Sequence, residues 1–245
     1  MGRGEKIAVV LAAYNERENL LLLLPRLRQT LEAMGHPWEI VMVVDGEDGT
    51  REWLTGLPQE GAPGRVTLSW SPRRRGFGRA LREGFRLASP DAALVTTLDC
   101  DLNHDPEDLP RFVRALEERG AHVVVGSRYL AGGMVHTLPW WKRWASGLAN
   151  RLLPTLTGLP LTDLTSNYRL YRREVAEMLA REGKANDFSF APEALLLAAS
   201  RGFRVVEVPI TFSPRRYGAS KLPKLATALG YLRLLALSLR VRAAS

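Results

Sequence analysis

The sequence is nearly free of cysteine, since Cys100 is the only one in 245 residues. A single thiol cannot build an internal disulfide framework, and this usage is compatible with a reducing cytoplasm. Cys100 lies between Asp99 and Asp101 at the end of an apolar stretch. Neighbouring negative charge disfavours the thiolate, so we interpret Cys100 as a packing residue and not as a nucleophile.

Long hydrophobic runs are also missing. The leucine-rich stretches 20–24 and 225–239 are interrupted by Pro25 and Arg233. Neither comes near the ~20 apolar residues that a membrane-spanning helix needs. The chain enters its first apolar segment at Ile7 without the layout of a signal peptide. With no internal repeat, low-complexity tract or linker, we expect one large domain or two small ones.

Acidic residues are fewer than basic ones. Lys and Arg number 34 against 26 Asp and Glu, which gives a net charge of +8. Such a surplus suits an anionic partner: a nucleic acid, an acidic membrane surface or a phosphorylated substrate. The charge alone does not choose among the three.

The chain does contain a regular alternation of short apolar runs and helical segments. The runs, of the kind buried in parallel sheets, occupy residues 7–13, 39–44, 66–70, 92–98 and 122–126. This order predicts an α/β fold with a doubly wound, mostly parallel sheet and flanking helices. A last strand is predicted over 205–210.

Helix starts give further local predictions. Asn15 with Glu18 resembles a capping pair, and Pro25 predicts a kink or a later start in the first helix. A helix with proline in its first turn is predicted over 106–119. Residues 163–169 form a polar turn into a strand, and a helix beginning near Phe188 carries Glu193.

The stretch with most chemical content follows the run 94–98, which ends in Asp99 and Asp101. A parallel strand delivers such side chains to the carboxyl edge of the sheet, where open α/β sheets place their ligands. Mg²⁺ and Mn²⁺ prefer oxygen ligands, and Mg²⁺ is usually held by one or two carboxylates together with substrate phosphates. The pair therefore predicts a metal that bridges to a nucleotide diphosphate. A polar loop with a helix cap is the alternative for an isolated pair of this type.

Two other strand ends carry polar signals. Asp45 and a glycine-bearing turn follow the second strand, which suits a nucleoside base or ribose but also suits an ordinary βα turn. An arginine run precedes Gly76 and Gly78, which would let the backbone approach a phosphate at a helix N-terminus. The alternative for the arginines is a solvated face.

Beyond Tyr129 the chain becomes basic and partly aromatic. Residues 139–144 combine Trp with Lys and Arg, a pairing found at membrane interfaces, although base stacking or a core corner is an equal alternative. Residues 214–221 form a basic loop. Residues 222–242 predict a basic amphipathic helix that either lies on an anionic membrane or packs on the core.

Seven short motifs occur in one order, and together they resemble the dolichyl-phosphate (polyprenyl-phosphate) mannosyltransferases, a branch of the inverting family 2 glycosyltransferases. They are Tyr14-Asn-Glu, Val44-Asp45, Gly76-Phe-Gly-Arg-Ala80, Asp99-Cys-Asp101, Gly126-Ser-Arg-Tyr129, Asp163-Leu-Thr-Ser-Asn-Tyr-Arg169 and Gly218-Ala-Ser-Lys221. The resemblance covers about residues 6–225. It implies a GT-A fold, a nucleotide-sugar donor, Mg²⁺ or Mn²⁺, and a lipid phosphate acceptor.

The resemblance also implies roles for individual residues. Metal ligands would be Asp99, Asp101 and Asn103, and the implied catalytic residues are Asp101, Arg128 and Arg215. Binding of the nucleotide sugar or the acceptor phosphate is implied for Ala13, Tyr14, Glu16, Asp45, Gly78, Asp99, Lys142, Ser146 and Lys221, with Arg143 as the alternative if the register slips. The chain departs from the family in a shortened loop over 45–50, and in Asn167 and Tyr168, which replace glycine and phenylalanine. Base and sugar specificity are therefore not fixed by the resemblance.

The implied chemistry suits a phosphate acceptor. An alcohol needs a carboxylate as general base, whereas a phosphate is already anionic at neutral pH. The protein would then mainly neutralise the departing nucleoside diphosphate with a metal and basic side chains. Asp163 and Glu193 are the base candidates if the acceptor is a hydroxyl.

Three hypotheses follow. The first is a polyprenyl-phosphate glycosyltransferase using GDP-mannose, with a catalytic domain over 1–220 and a membrane-surface helix over 221–245. It would lie on the cytoplasmic face of the membrane, with or without a separate membrane subunit. The second is a soluble transferase with a UDP-glucose type donor and a hydroxyl acceptor. The third, a nucleic-acid-binding protein, explains the charge but not the paired acids.

Overall fold

The computed structural model describes residues 4–56, 64–135, 159–213 and 217. The strands are β1 (Lys6–Tyr14), β2 (Trp38–Asp45), β3 (Gly64–Ser71), β4 (Ala92–Thr97), β5 (Val123–Ser127), β6 (Met134–Val135), β7 (Arg169–Arg172), β8 (Val205–Pro209) and β9 (Thr211–Phe212). The helices are α1 (Arg17–Met34), α2 (Thr50–Thr55), α3 (Phe77–Leu87), α4 (Leu109–Glu118), α5 (Arg173–Glu182) and α6 (Phe190–Ser200), with a 3₁₀ turn over Pro106–Asp108.

Seven strands form one sheet in the order β3-β2-β1-β4-β7-β5-β8. All neighbours are parallel except β7, which runs antiparallel to both β4 and β5. β6 and β9 form a separate parallel pair. The prediction of a mostly parallel α/β sheet is confirmed, and β7 is its one reversed member among the described residues.

The sheet lies between two layers of helices. On one face, leucines 20, 23, 27 and 31 of α1 and Phe112 of α4 pack on side chains such as Val9 and Leu94. On the other face, Phe85 of α3, Leu179 of α5 and Leu195 of α6 pack on Val10 and Val95. Successive side chains of a strand point to opposite faces, so the continuous apolar runs of β1 and β4 serve both layers.

Several local predictions were wrong in detail. Pro25 lies inside a continuous α1 and does not reset its start. The N-cap position of α1 is Glu16, one residue after the expected Asn15, and the first amide of the helix, that of Arg17, donates to Asp48 Oδ2 at 3.0 Å. The helix predicted over 106–119 divides into the 3₁₀ turn and α4. Helix α5 was not predicted.

The described part of the chain contains no helix that is long and apolar enough to cross a membrane. The predicted membrane-surface helix over 221–245 and the tryptophan-rich stretch 139–144 lie outside the described residues.

Candidate active site

The candidate site lies at the carboxyl ends of the central strands β1, β2 and β4. Strained backbone marks this edge: Asn15, after β1, has φ 52°, and Leu102, after β4, has φ 63°. Among the described residues these are the non-glycine positions with left-handed backbone. Such strain costs about 1–3 kcal/mol per residue and is typical of functional sites.

The turn after β4 presents a set of oxygen donors. Asp101 Oδ1 accepts the amide of Asn103 at 3.2 Å, which tightens the turn at Leu102. Asn103 Oδ1 is buried and has no hydrogen-bond partner among the described residues. A buried carbonyl oxygen without a donor is costly, and a hard cation would satisfy it. Asp99, Asp101 and Asn103 therefore fit Mg²⁺ or Mn²⁺, although the described residues show no cluster of three His, Cys, Asp or Glu side chains placed to hold a metal.

His104 holds the backbone at the start of this turn. Its side chain is 2% exposed, and its Nδ1 accepts the amide of Asp99 at 3.4 Å. Burial lowers the pKa of His104 to about 4, against the raising effect of Asp101, so the ring is neutral at pH 7. The ring lies against Tyr168 and Phe212. His104 is thus a packing residue that orients the Asp99 backbone.

Asp45 at the end of β2 is held by Arg75. The Arg75 amide donates to Asp45 Oδ2 at 2.7 Å, and its Nε donates to Oδ1 at 2.6 Å. The same guanidinium reaches Glu83 Oε1 at 2.8 Å. Asp45 is 3% exposed. Sequence reasoning missed this partner, and an interaction of Asp45 with a base or ribose stays a prediction.

The loop after β1 borders a cleft. Glu16 is mostly buried and its carboxylate accepts Asn19 Nδ2 at 2.6 Å, while the Arg74 guanidinium lies 4.8 Å from the centre of the Tyr14 ring. Ala13 is buried at the end of β1. The cleft has a volume of about 240 Å³ and is lined by Asn15, Glu16, Arg17, Glu18, Asn19, Asp48 and Tyr217. The first loop thus borders a concave surface, and binding of a nucleotide by Ala13, Tyr14 or Glu16 stays a prediction.

Gly76 and Gly78 serve close packing. The Gly78 amide donates to the Asn186 carbonyl at 3.1 Å. A Cβ at Gly78 would collide with the Ala185 carbonyl and come within 2.7 Å of Phe190 Cβ. Glu193 holds the same segment, because its carboxylate accepts the amides of residues 184 and 185. A Cβ at Gly76, where φ is 98°, would collide with the Asn186 carbonyl, so close packing accounts for both glycines. A phosphate contact at Gly78 stays a prediction.

Arg128 and Asp163 form a buried ion pair. Arg128 Nε donates to Asp163 Oδ2 at 2.7 Å and Nη2 donates to Oδ1 at 2.9 Å. Burial raises the pKa of Asp163, but the Arg128 charge and hydrogen bonds outweigh it and hold that pKa below its ordinary value. The amides of Thr162 and Asp163 donate to Glu207 of β8. Arg128 therefore has a structural partner, and its expected contact with a diphosphate stays a prediction.

The structure therefore brings together only some of the expected site residues. It places Ala13, Tyr14, Glu16, Asp45, Gly78, Asp99, Asp101, Asn103 and Arg128 along the carboxyl edge or the elements that follow it. The remaining ones, Lys142, Ser146, Arg215 and Lys221, lie outside the described residues, as does the alternative Arg143.

Comparison with known proteins assigns the class. A model of glycosyl transferase family 2 matches residues 8–179. The chain therefore belongs to the family 2 glycosyltransferases, and the nucleic-acid-binding alternative loses its support. Over 223 residues it is 34% identical to the polyprenol monophosphomannose synthase of Mycolicibacterium smegmatis, covering 89% of this chain and 81% of that relative. Over 224 residues it is 33% identical to the undecaprenyl-phosphate mannosyltransferase of Micrococcus luteus, covering 89% and 87%.

Solved structures confirm the GT-A-like fold. A glucosyl-3-phosphoglycerate synthase from Mycobacterium tuberculosis, crystallised with Mn²⁺, UDP and phosphoglyceric acid, superposes with a TM-score of 0.67 at 20% identity. The match covers 96% of this chain and 78% of that one. A second crystal structure of that synthase, with Mg²⁺ and UDP, gives a TM-score of 0.61 at 19% identity.

Proposed function

We propose that this protein transfers a sugar from a nucleotide-sugar donor to a polyprenyl phosphate, with mannose from GDP-mannose as the sugar and donor. The names of the two relatives support the acceptor and the sugar. The observation that carries the proposal is the donor set Asp99, Asp101 and Asn103 at the carboxyl edge of the sheet.

These three residues would hold Mg²⁺ or Mn²⁺. When bound, the ion neutralises negative charge on the leaving nucleoside diphosphate, which lowers the barrier electrostatically. The protein itself supplies orientation: the Asp101 carboxylate accepts the Asn103 amide, and His104 accepts the Asp99 amide. These two bonds order the backbone of the turn and one carboxylate oxygen of Asp101.

The environments of Asp163 and Glu193 favour a phosphate acceptor over a hydroxyl. A general base must reach the substrate proton and carry a suitable pKa. Asp163 is fully buried against Arg128, and its pKa is lowered, so it is a poor base. Glu193 is 7% exposed and accepts two backbone amides. A phosphate acceptor, already anionic, needs neither.

The acceptor would be held by residues that follow Tyr129 in the chain. Lys142 and Ser146 would bind the acceptor phosphate, Arg215 and Lys221 would belong to a loop that closes over the phosphates, and the basic segment 221–245 would lie on the cytoplasmic face of the membrane. The net charge of +8 supports this arrangement, because basic segments are attracted to anionic lipid surfaces.

The test is transfer of labelled sugar from GDP-mannose or UDP-glucose into an organic-extractable product, with polyprenyl phosphate and with Mn²⁺, Mg²⁺ or EDTA. We expect a metal-dependent lipid product from GDP-mannose. A lipid product from UDP-glucose alone would overturn the mannose assignment. Transfer only to a soluble acceptor would overturn the lipid acceptor and leave the fold assignment intact.

A further inference from the structure

The segment before β7 lies directly against the first acidic residue of the turn after β4. Strands β4 and β7 are antiparallel, and their register pairs Thr97 with Arg169. Continuing that register by two residues sets Asn167 opposite Asp99. Asn167 Nδ2 donates to Asp99 Oδ1 at 3.2 Å. Here the resemblance to mannosyltransferases fails, because their motif has glycine at this position, which cannot make the contact.

Asn167 is itself held in place. The residue is 5% exposed, and its backbone carbonyl accepts a hydrogen bond at 2.7 Å from the hydroxyl of Thr97, which is fully buried. The next residue, Tyr168, is 1% exposed and stacks on Phe112 with ring centres 4.4 Å apart. The bond from Thr97 and the packing of Tyr168 thus fix the backbone at Asn167, which keeps its side-chain amide close to Asp99.

We infer that Asn167 is a positioning residue that fixes the Asp99 carboxylate for the divalent cation. Its amide restrains the rotation of that carboxylate, while His104 restrains the backbone of the same residue. The Asp99 side chain is 30% exposed, and removing the Asn167 amide would remove one restraint on its carboxylate. Outer-shell hydrogen bonds of this kind typically contribute about 10–100-fold in metal affinity.

The inference rests on the metal site of the proposed function, but not on its sugar or acceptor. The test is Mn²⁺ binding followed by the electron paramagnetic resonance of free Mn²⁺, with and without GDP, and with no lipid present. We expect Asn167→Ala to weaken Mn²⁺ binding by about 10–100-fold, with the wild-type thermal midpoint kept within a few degrees. Asn167→Gly, which introduces the residue of the family motif, should show the same loss of Mn²⁺ affinity. It replaces the alanine variant in the test if that variant does not fold.

Asn186→Ala is the matched control. It removes an asparagine side chain whose Oδ1 accepts a hydrogen bond from Arg82 Nη2 of α3 at 2.6 Å. Its Mn²⁺ affinity should equal that of the wild type. Equal Mn²⁺ affinities in the wild type and both Asn167 variants would overturn the inference, as would a wild type that does not bind Mn²⁺. Failure of lipid transfer with Mn²⁺ binding intact would overturn the proposed acceptor alone.

Discussion

The guanidinium of Arg128 and the carboxylate of Asp163 are joined by two hydrogen bonds, although the residues lie 35 positions apart in the chain. Asp163 is fully buried and Arg128 is 13% exposed. Because Glu207 accepts the amides of Thr162 and Asp163, the pair ties the end of β5 to β8 and to the segment that leads into β7. The ion pair thus holds one half of the carboxyl edge together.

Replacing Asp163 by Asn should leave the Arg128 charge buried without its partner. Removing one member of such a pair costs about 3–5 kcal/mol of unfolding free energy, measured by urea denaturation. Glu177→Gln is the control, because Glu177 pairs with Arg173 on a helix surface and is 45% exposed. The control should lose less than about 1 kcal/mol. Equal losses in the two variants would contradict the structural role of the buried pair.

The same pair predicts acid sensitivity. The folded pKa of Asp163 is lowered, so its contribution to stability is present above the unfolded value of 3.8. That contribution is lost as the pH falls through the lowered folded pKa. Thermal midpoints of the wild type should therefore drop below about pH 4. Asp163→Asn should show a shallower acid dependence over this window, and an unchanged slope would remove Asp163 as the source.

Asp101→Asn should abolish metal-dependent transfer while the fold is kept. The amide keeps the size of the side chain but not its charge, so we expect turnover to fall by at least about 100-fold. Circular dichroism and the thermal midpoint should match the wild type. Activity within a few-fold of the wild type would remove Asp101 from the metal site.

Arg75→Leu should destabilise the protein, because it leaves Asp45 and Glu83 without the cation that they share. We expect a loss of about 2 kcal/mol or more in unfolding free energy. Arg75→Lys keeps the charge but not the fork of donors, and should lie between Arg75→Leu and the wild type. Arg73→Leu, two positions away and exposed, should stay within about 0.5 kcal/mol of the wild type. Similar effects at both positions would show that the arginine run acts only as surface charge.

Gly78→Ala separates packing from phosphate binding. The added methyl group has no room beside Ala185 and Phe190, so we expect a loss of about 1–3 kcal/mol in unfolding free energy. Gly56→Ala is the control, because Gly56 has φ −81° and ordinary contact distances, and should be neutral or slightly stabilising. GDP affinity measured well below the thermal midpoint then distinguishes the two roles. An unchanged GDP affinity in Gly78→Ala would assign this glycine to packing alone, whereas a loss of GDP affinity would support the predicted phosphate contact.

Patterns local in the sequence predicted the parallel part of the fold. The apolar runs of β1, β2 and β4 have the length and composition of buried strands, and Asp99 and Asp101 follow such a run directly. Their position at the carboxyl edge therefore follows from the chain direction alone. The turn at Leu102, with its left-handed backbone, has no comparable signal, because leucine is not a residue that favours that conformation.

Contacts between distant segments were not predictable. Three consecutive arginines follow β3, and nothing in their order indicates which one contacts Asp45. In the structure it is Arg75. Similarly, the pairing of Asn167 with Asp99 depends on β7 being antiparallel, and strand direction in the sheet is a property of the whole topology. A single sequence gives residue types and local periods, whereas these partners are decided by pairing across the sheet.

The place of β7 in the sheet has a consequence during synthesis. β4 and β5 follow one another along the chain, yet β7 lies between them, so β5 has no strand to pair with until residues 169–172 have left the ribosome. β3, β2, β1 and β4 need nothing made later to pair with one another. At about 5–20 residues per second, the nascent chain carries an open β4 edge for a time on the order of seconds. During that time the edge is open to pairing with other chains, and the hydrogen bond between Asn167 and Asp99 has not yet formed. The arrival of one four-residue strand closes the edge and places Asn167 beside Asp99 in the same event.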